Sequence, residues 1–555
     1  LISFFELIGI GIIGPYILII SDSTKIEEFF QNFDGLIQLS TSNNQLIISL
    51  SILLVIIFVI KSLLTILSNY IILKFSSDQR VKIQTKLMRN YQEMPYALYT
   101  QRNSSEYIQN IHVLADRFAT GVLLSGIRVC SEGLVVIVIL SFLAWSNFYS
   151  FLIITTLVGL FMFMYDRIFK RKMLNLGSRS IQEQTSMLQG LSEGIAGLKE
   201  IRILGTESYF LNKVSSGAQG YGDCYVYSST VSTSPRYFLE ILMMFFVVTL
   251  VMMEIYLFGG VNNILPTLGV FGVAAIRLLP AVNLIANSIS NFRYSRNSIS
   301  KLYKDFENFK ELESFKSQPE IHVDFQSIET LNLFFKYDSV NKYTLRDINI
   351  KIQRGESIGI IGSSGSGKTT LLDTLLGLLE PKKGDIFFNG ESVKSQLSSW
   401  QNHIAYLPQQ IFIIDNSLRN NIALGVPSGQ IDDNKVIDAI RKASLNDLYN
   451  ELPEGLDTLL GERGIRISGG QRQRVALARA FYHDRDVLFM DESTSALDSE
   501  TEKEIMKEIL YLKGQKTLII IAHRLNTLRH CDRIYKLKDG VVEDVGVLDK
   551  NLDFK

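Results

Sequence analysis

Cysteine is scarce in this 555-residue chain: Cys130, Cys224 and Cys531 lie far apart, with neither metal-ligand nor redox spacing. Neither a disulfide framework nor a zinc site is expected from that spacing, which leaves three thiols serving as small apolar side chains. Net charge is missing as well, since 56 Lys+Arg balance 56 Asp+Glu, and this speaks against a basic nucleic-acid binder. Charge of either sign is thin, at 20% of residues against roughly 25% in ordinary soluble proteins. The thinness is local. No Asp, Glu, Lys or Arg occurs from Gly35 to Ile60, from Gly133 to Tyr165 or from Ile255 to Ile276, and each stretch is long enough to cross about 30 Å of hydrocarbon as a helix. These gaps define a membrane protein with a soluble part.

The first half reads as six spans, at about 2–20, 46–73, 118–145, 149–169, 237–258 and 264–292. Residue 1 is Leu rather than Met, so further chain is expected ahead of the first span. A cleavable signal peptide is not expected, because the opening segment has no basic start and more spans follow it. Basic residues crowd two connections, Lys74 to Arg102 and Lys170 to Lys213, whereas 146–148 and 259–263 hold none. The positive-inside rule makes both basic connections cytoplasmic. Their length and periodicity predict helices running out of the membrane, joined by turns near 92–100 and 203–212. Residues 21–40 place Ile26, Phe29, Phe30, Phe33 and Ile37 at helical spacing behind a Thr24/Glu27 capping box. The pattern suits an amphipathic helix in the outer interface or a loop whose aromatics pack on neighbouring spans. Charged residues from Lys304 to Lys316, closed by Pro319, mark a boundary between a transmembrane domain at 1–317 and a second domain at 318–555. In the second domain β-rich and helical runs alternate, as in an α/β fold.

The chemistry lies in this second domain. Gly362, Ser363, Ser364, Gly365, Ser366, Gly367, Lys368, Thr369 and Thr370 follow the apolar run Ser357–Ile361 and open a helical stretch. This is a P-loop: backbone amides wrap phosphate oxygens at a helix N-terminus, Lys368 reaches the β- and γ-phosphates and Thr369 binds Mg²⁺. Asp486–Met490 is an apolar strand ending in Asp491, suited to the Mg²⁺ shell, and Glu492, suited to polarising the attacking water. Ser468, Gly469, Gly470 and Gln471 begin another helix whose hydroxyl and bare amides also suit an anion. One chain has no second phosphate to offer it.

Together these residues resemble the ATP-binding cassette (ABC) family along essentially the whole chain. The resemblance implies a type IV exporter-like, α-helical six-span transmembrane domain followed by an α/β P-loop nucleotide-binding domain. It assigns Walker A to 362–369, the glutamine loop to Pro408-Gln409, with Gln409 at the metal, the signature to Ser468–Gln471, Walker B to 487–491, the D-loop to Ser495–Asp498 and the switch to His523. Tyr337 occupies the position of the adenine-stacking aromatic, although a lone strand tyrosine can equally be packing. Gly461–Gly464 resembles the exporter rather than the importer segment, and Ile467 stands where Leu is usual. The resemblance further implies that two cassettes close head to tail on ATP, so a single cassette per chain calls for a second copy or a similar half-transporter. Glu492 and His523 imply two competent hydrolysis sites in a homodimer.

Three cations sit inside apolar spans: Lys61, Arg236 and Arg277. Each would cost roughly 2.5–3.5 kcal/mol if it faced lipid at mid-bilayer, so a wet cavity binding an anionic head group is expected. Other readings stay open: Arg236 can pair with Glu240 one turn on, and Lys61 can snorkel. Arg277 has no acid nearby in its own span. Ser234–Glu240, Ala275–Ala281, Ile2–Glu6 and the outer amphipathic helix resemble the bacterial flippases of polyprenyl-pyrophosphate-linked oligosaccharides used in protein N-glycosylation. This implies a flippase of the bacterial plasma (inner) membrane with its nucleotide-binding domain in the cytoplasm. The alternatives are export of another lipid, a drug or a peptide and, from a different class, an ATP-gated channel or regulator.

Overall fold

The computed structural model describes residues 43–146, 148–258, 264–312, 323–338, 341–491, 507, 509–521 and 528–546. The chain divides into two compact units. The first comprises Leu1–Met94 with Arg102–Leu312, and the second comprises Pro95–Gln101 with Glu313–Lys555.

The first unit is built from very long helices. Asn43–Glu93, Phe148–Ala196 and Ile264–Leu312 run 51, 49 and 49 residues, about 75 Å each at 1.5 Å per residue, so each extends far beyond the hydrocarbon it could occupy. Among the described residues four helical runs, Ser51–Glu93, Ser104–Ser146, Phe151–Ala196 and Glu207–Thr249, are long and apolar enough to cross a membrane. The expectation of six spans is met only in part. The span at 2–20 and the amphipathic helix at 21–40 lie outside the described residues. The stretch at 264–292 opens the Ile264–Leu312 helix, where Arg277, Asn283, Asn287 and Asn291 dilute the apolar run. The surface is inverted relative to a soluble protein, with Val55 62% and Ile66 66% exposed on the Asn43–Glu93 helix, as suits a face solvated by lipid.

Close packing depends on missing side chains. A Cβ on Gly177 would meet the backbone oxygen of Tyr294 at 2.0 Å, and one on Gly121 would meet Ser295 Oγ at 2.0 Å. Both glycines let their helices press onto Ile264–Leu312. Higher in the unit, Ile139, Leu143, Ile154, Phe246 and Phe271 bury one another across four helices. The basic connections turn where helices were expected to be joined. Tyr96–Tyr99 is a single helical turn after Glu93, and Leu198–Leu204 ends at left-handed Gly205 before Glu207–Thr233 begins. Residues 95–101 belong to the second unit; those near 203–212 stay in the first.

In the second unit a four-stranded antiparallel sheet runs β2(Leu345–Gln353), β1(Ser327–Phe335), β4(Lys383–Phe388), β5(Glu391–Ser392). A six-stranded sheet runs β10(Val541–Gly546), β9(Arg533–Lys538), β3(Ser357–Ile361), β8(Thr517–Ile521), β7(Val487–Asp491), β6(Ile404–Leu407). Strands β9, β3, β8, β7 and β6 are mutually parallel and β3, β7 and β8 are almost fully buried, which explains their continuous apolar runs. Parallel pairing brings their carboxyl ends to one edge, with Ile360 and Asp491 both level with Ile521 on β8 between them.

Candidate functional site

That edge holds the P-loop. Strands lie about 4.8 Å apart, so Asp491 at the tip of β7 sits roughly 10 Å from the end of β3, where the loop begins. Gly362 leaves the sheet at a point where a Cβ would meet the Leu537 carbonyl at 2.4 Å and Ser366 Oγ at 2.6 Å. Gly365 and Gly367 take left-handed backbone at φ +78° and +105°, which only glycine adopts without cost. Ser363 and Ser364 are exposed on the loop, while Ser366 is buried beneath it. The Lys368–Leu375 helix follows, its first-turn amides without intrahelical acceptors. Lys368 is only 7% exposed, and its ammonium curls back to donate to the carbonyls of Gly362 at 2.9 Å and Ser363 at 3.1 Å. The lysine thus braces the loop from inside, one short swing from a phosphate lying on the amides.

Thr369 is exposed in the first turn, and Thr370 points inward with its hydroxyl 3.3 Å from Tyr337 Oη. Tyr337, packed edge-on against Phe335 at 5.0 Å, therefore stands beside the P-loop helix, where a base could lie over it. Asp491 is buried at the mouth. Asp373, one turn into the helix, is half-buried; burial first and the charge of Asp491 second push its carboxyl up to about 6. Burial and the same two carboxylates also raise the Tyr406 hydroxyl on β6. An acidic hollow of this kind attracts a cation. The Thr369 hydroxyl, the Asp491 carboxylate and the exposed Gln409, two residues past the end of β6, are hard oxygen donors that suit Mg²⁺ shared with phosphate oxygens. No cluster of three or more His, Cys, Asp or Glu able to hold a metal ion occurs among the described residues.

Ser468 caps the Gly469–His483 helix with a complete capping box: its hydroxyl accepts from Gln471 N at 3.2 Å, and Gln471 Oε1 accepts from Ser468 N at 2.8 Å. The box occupies the third-position amide and leaves the Gly469 and Gly470 amides at the first two positions to face an anion. Arg472 clamps the turn before it, donating to the carbonyls of Gly464 and Ile467. Sequence reasoning missed that brace, and also Tyr96, whose hydroxyl is raised by burial and by Asp373. Ala97 of the same short segment packs against the core beneath the P-loop helix. Glu492, Asp498 and His523 lie outside the described residues.

In the membrane unit each of the three cations has company. Arg236 Nε sits 3.0 Å from Glu240 Oε1 on an exposed surface, and Lys61 Nζ lies 5.2 Å from the Phe58 ring centre. Arg277 Nη2 is 3.5 Å from Glu132 Oε2, with side chains 26% and 17% exposed. The acid absent from the span of Arg277 comes from the neighbouring Ser104–Ser146 helix. Glu132 stands at the edge of the charge-free stretch that follows it, and that position was the available signal. Beside these helices an apolar cavity of about 160 Å³ is lined by Leu140, Ile154, Thr155, Leu239, Met243 and Leu278 among others.

Comparison with known proteins agrees with both halves. Residues 26–271 match the ABC transporter transmembrane region and residues 345–495 the ABC transporter family model. The chain belongs to the ABC transporters, as a membrane-embedded half-transporter of the exporter type. One chain carries a membrane region and an ATP-binding domain, and its ATP hydrolysis is coupled to transport. It is 27% identical over 509 residues to the ATP-dependent lipid A-core flippase of Cupriavidus metallidurans, a match spanning 89% of this chain and 83% of that one. It is 28% identical over 468 residues to the flippase of the same name from Alcanivorax borkumensis, spanning 83% and 79%. Among solved structures, a bacterial Atm1-family ABC exporter with ATP bound shares its fold at a TM-score of 0.77 and 20% identity, over 98% of this chain and 94% of that one.

Proposed function

We propose that the chain works as a homodimer, or with a similar half-transporter, that uses ATP to flip a lipid whose head group carries phosphate and sugar. The first cargo to test is a polyprenyl-pyrophosphate-linked oligosaccharide. The observation that carries the reading is similarity to lipid A-core flippases running through both units rather than through the cassette alone. A lipid A-core type of glycolipid is the second reading, favoured by the names of those relatives. Both cargoes combine anionic head groups with long apolar chains. Arg277 beside Glu132 supports head-group binding if the anion displaces the carboxylate, and the apolar cavity suits a chain. The same proposal places the protein in the bacterial inner membrane.

In the cassette, Thr369, Asp491 and Gln409 would hold Mg²⁺, which neutralises phosphate charge when bound. Lys368 and the loop amides bind and orient the β- and γ-phosphates, Tyr337 carries the base, and Ser468 with the Gly469 and Gly470 amides closes on the nucleotide of the opposite copy. Glu492 takes up the proton of the attacking water, and His523 and Asp498 complete the closed site. The test is the purified full chain in proteoliposomes, offered fluorescent polyprenyl-pyrophosphate glycan, lipid A-core, phosphatidylethanolamine or a peptide. ATP-dependent movement of a phosphorylated glycolipid is the expected result. Movement of the peptide alone, or ion conductance without lipid movement, overturns the reading in favour of a peptide exporter or a gated channel.

A further inference from the structure

The chain passes between its two units at three places: between Met94 and Pro95, between Gln101 and Arg102, and after Leu312. One buried carboxylate precedes the last crossing in sequence and binds side chains that flank the other two. Asp305, on the Ile264–Leu312 helix, is 5% exposed. Its Oδ1 accepts from Arg102 Nη1 at 2.8 Å, and its Oδ2 accepts from Tyr91 Oη at 2.6 Å and Asn110 Nδ2 at 2.9 Å. Asn110 Nδ2 also reaches Tyr91 Oη at 3.0 Å. Tyr91 precedes the excursion of residues 95–101, Arg102 ends it, and Asp305 stands a short way before the last crossing.

The surroundings are apolar. The Tyr91 ring meets Tyr107 and Phe309 edge-on at 4.7 and 5.4 Å, among buried Leu87, Leu114 and Leu302. Asn110 opens a π-helical turn, Asn110–Leu114, that sets Asn110 and Leu114 on one buried face; such turns cost regular hydrogen bonding and recur at functional positions. A carboxylate in this setting adds little stability over apolar packing. What it does add is direction: three donors from two chain segments are held at one point on a third.

We propose that Asp305 is a positioning residue for coupling. It staples the entry and exit of the 95–101 excursion to the last membrane helix, so that movement imposed on that excursion by ATP is passed to the membrane unit as rigid displacement. The inference rests on hydrolysis coupled to transport, and not on the identity of the cargo.

The experiment is hydrogen exchange by mass spectrometry on the full chain in nanodiscs, with and without ATP and vanadate, beside steady-state ATP hydrolysis. In the wild type, trapping changes exchange both in the P-loop peptides and at 170–190 and 207–225. Asp305→Asn and the milder Tyr91→Phe keep hydrolysis within about twofold and keep the P-loop change, while the change at 170–190 and 207–225 is lost or falls severalfold. Arg102→Lys, which retains charge and one donor, keeps it, and Arg102→Met loses it. Unaltered transmission in Asp305→Asn and Tyr91→Phe overturns the staple. So does a parallel fall of hydrolysis, transmission and melting temperature, because that marks a merely structural residue. A wild type whose membrane helices ignore trapped nucleotide removes both the coupling and the staple.

Discussion

At the residue scale the nucleotide site is governed by space and charge. Gly362 has no room for a methyl group between the Leu537 carbonyl and Ser366 Oγ, so Gly362→Ala must push the loop off β9. ATP affinity should drop by at least about tenfold, equivalent to some 1.4 kcal/mol, as measured by nucleotide titration; unchanged affinity would show the loop to be more pliant than its packing. Glu492→Gln should bind ATP normally and hydrolyse it about 10²-fold or more slowly, and wild-type turnover by that variant ends the assignment of Glu492. Asp373 supplies a pH dependence with an unusual sign. Its folded-state pKa of about 6 lies above the unfolded value of about 3.9. The folded chain therefore takes up a proton that the unfolded chain refuses as pH falls from about 6 towards 4, and this gains stability; above pH 6 the ionised form carries its full penalty. Without nucleotide or Mg²⁺, Asp373→Asn should raise the melting temperature by about 2 °C at pH 7.5 and by only about a third of that at pH 4.5. Equal effects at both pH values contradict the assignment.

Among elements, the membrane unit depends on backbone approach and on pairs made between helices. Gly177 packs directly on the Tyr294 carbonyl, so Gly177→Ala should overpack the contact and destabilise the unit by about 1–3 kcal/mol, visible as a lower melting temperature in detergent. The Arg277–Glu132 pair invites a double-mutant cycle. Removing only Arg277 leaves a half-buried carboxylate alone and should cost more than replacing both residues, with Glu132→Gln partly rescuing the stability of Arg277→Met. Strict additivity of the two changes would mean that the pair carries no coupling. If Arg277 also meets an anionic head group, the rescued protein remains slow in flipping while its ATP hydrolysis persists.

For the molecule as a whole, the decisive claim is that each ATP is held between two copies. Chains carrying Lys368→Ala, or a Ser468→Arg change in the signature, should each be inactive as homodimers. Mixed, they form one site with the intact P-loop of one chain facing the intact signature of the other, and part of the ATP hydrolysis should return. A mixture as inactive as its components refutes the shared site.

Residue order alone makes the second half legible as an ATP-binding domain. The P-loop spacing, the carboxylate ending β7 and the Ser468 cap are local matters, set by which backbone conformations glycine permits and which side chains satisfy a helix start. It also determined that the first half is apolar enough for a bilayer, since charge-free length is readable without a fold. Tertiary structure alone decided the partners. Glu132 beside Arg277, Asp305 beneath Tyr91 and Arg102, and Tyr96 in the hollow of Asp373 join residues far apart in the chain. No periodicity encodes such meetings, because they depend on which helices press together and at what height. A buried charge records only that it needs a partner, and packing chooses which one it receives.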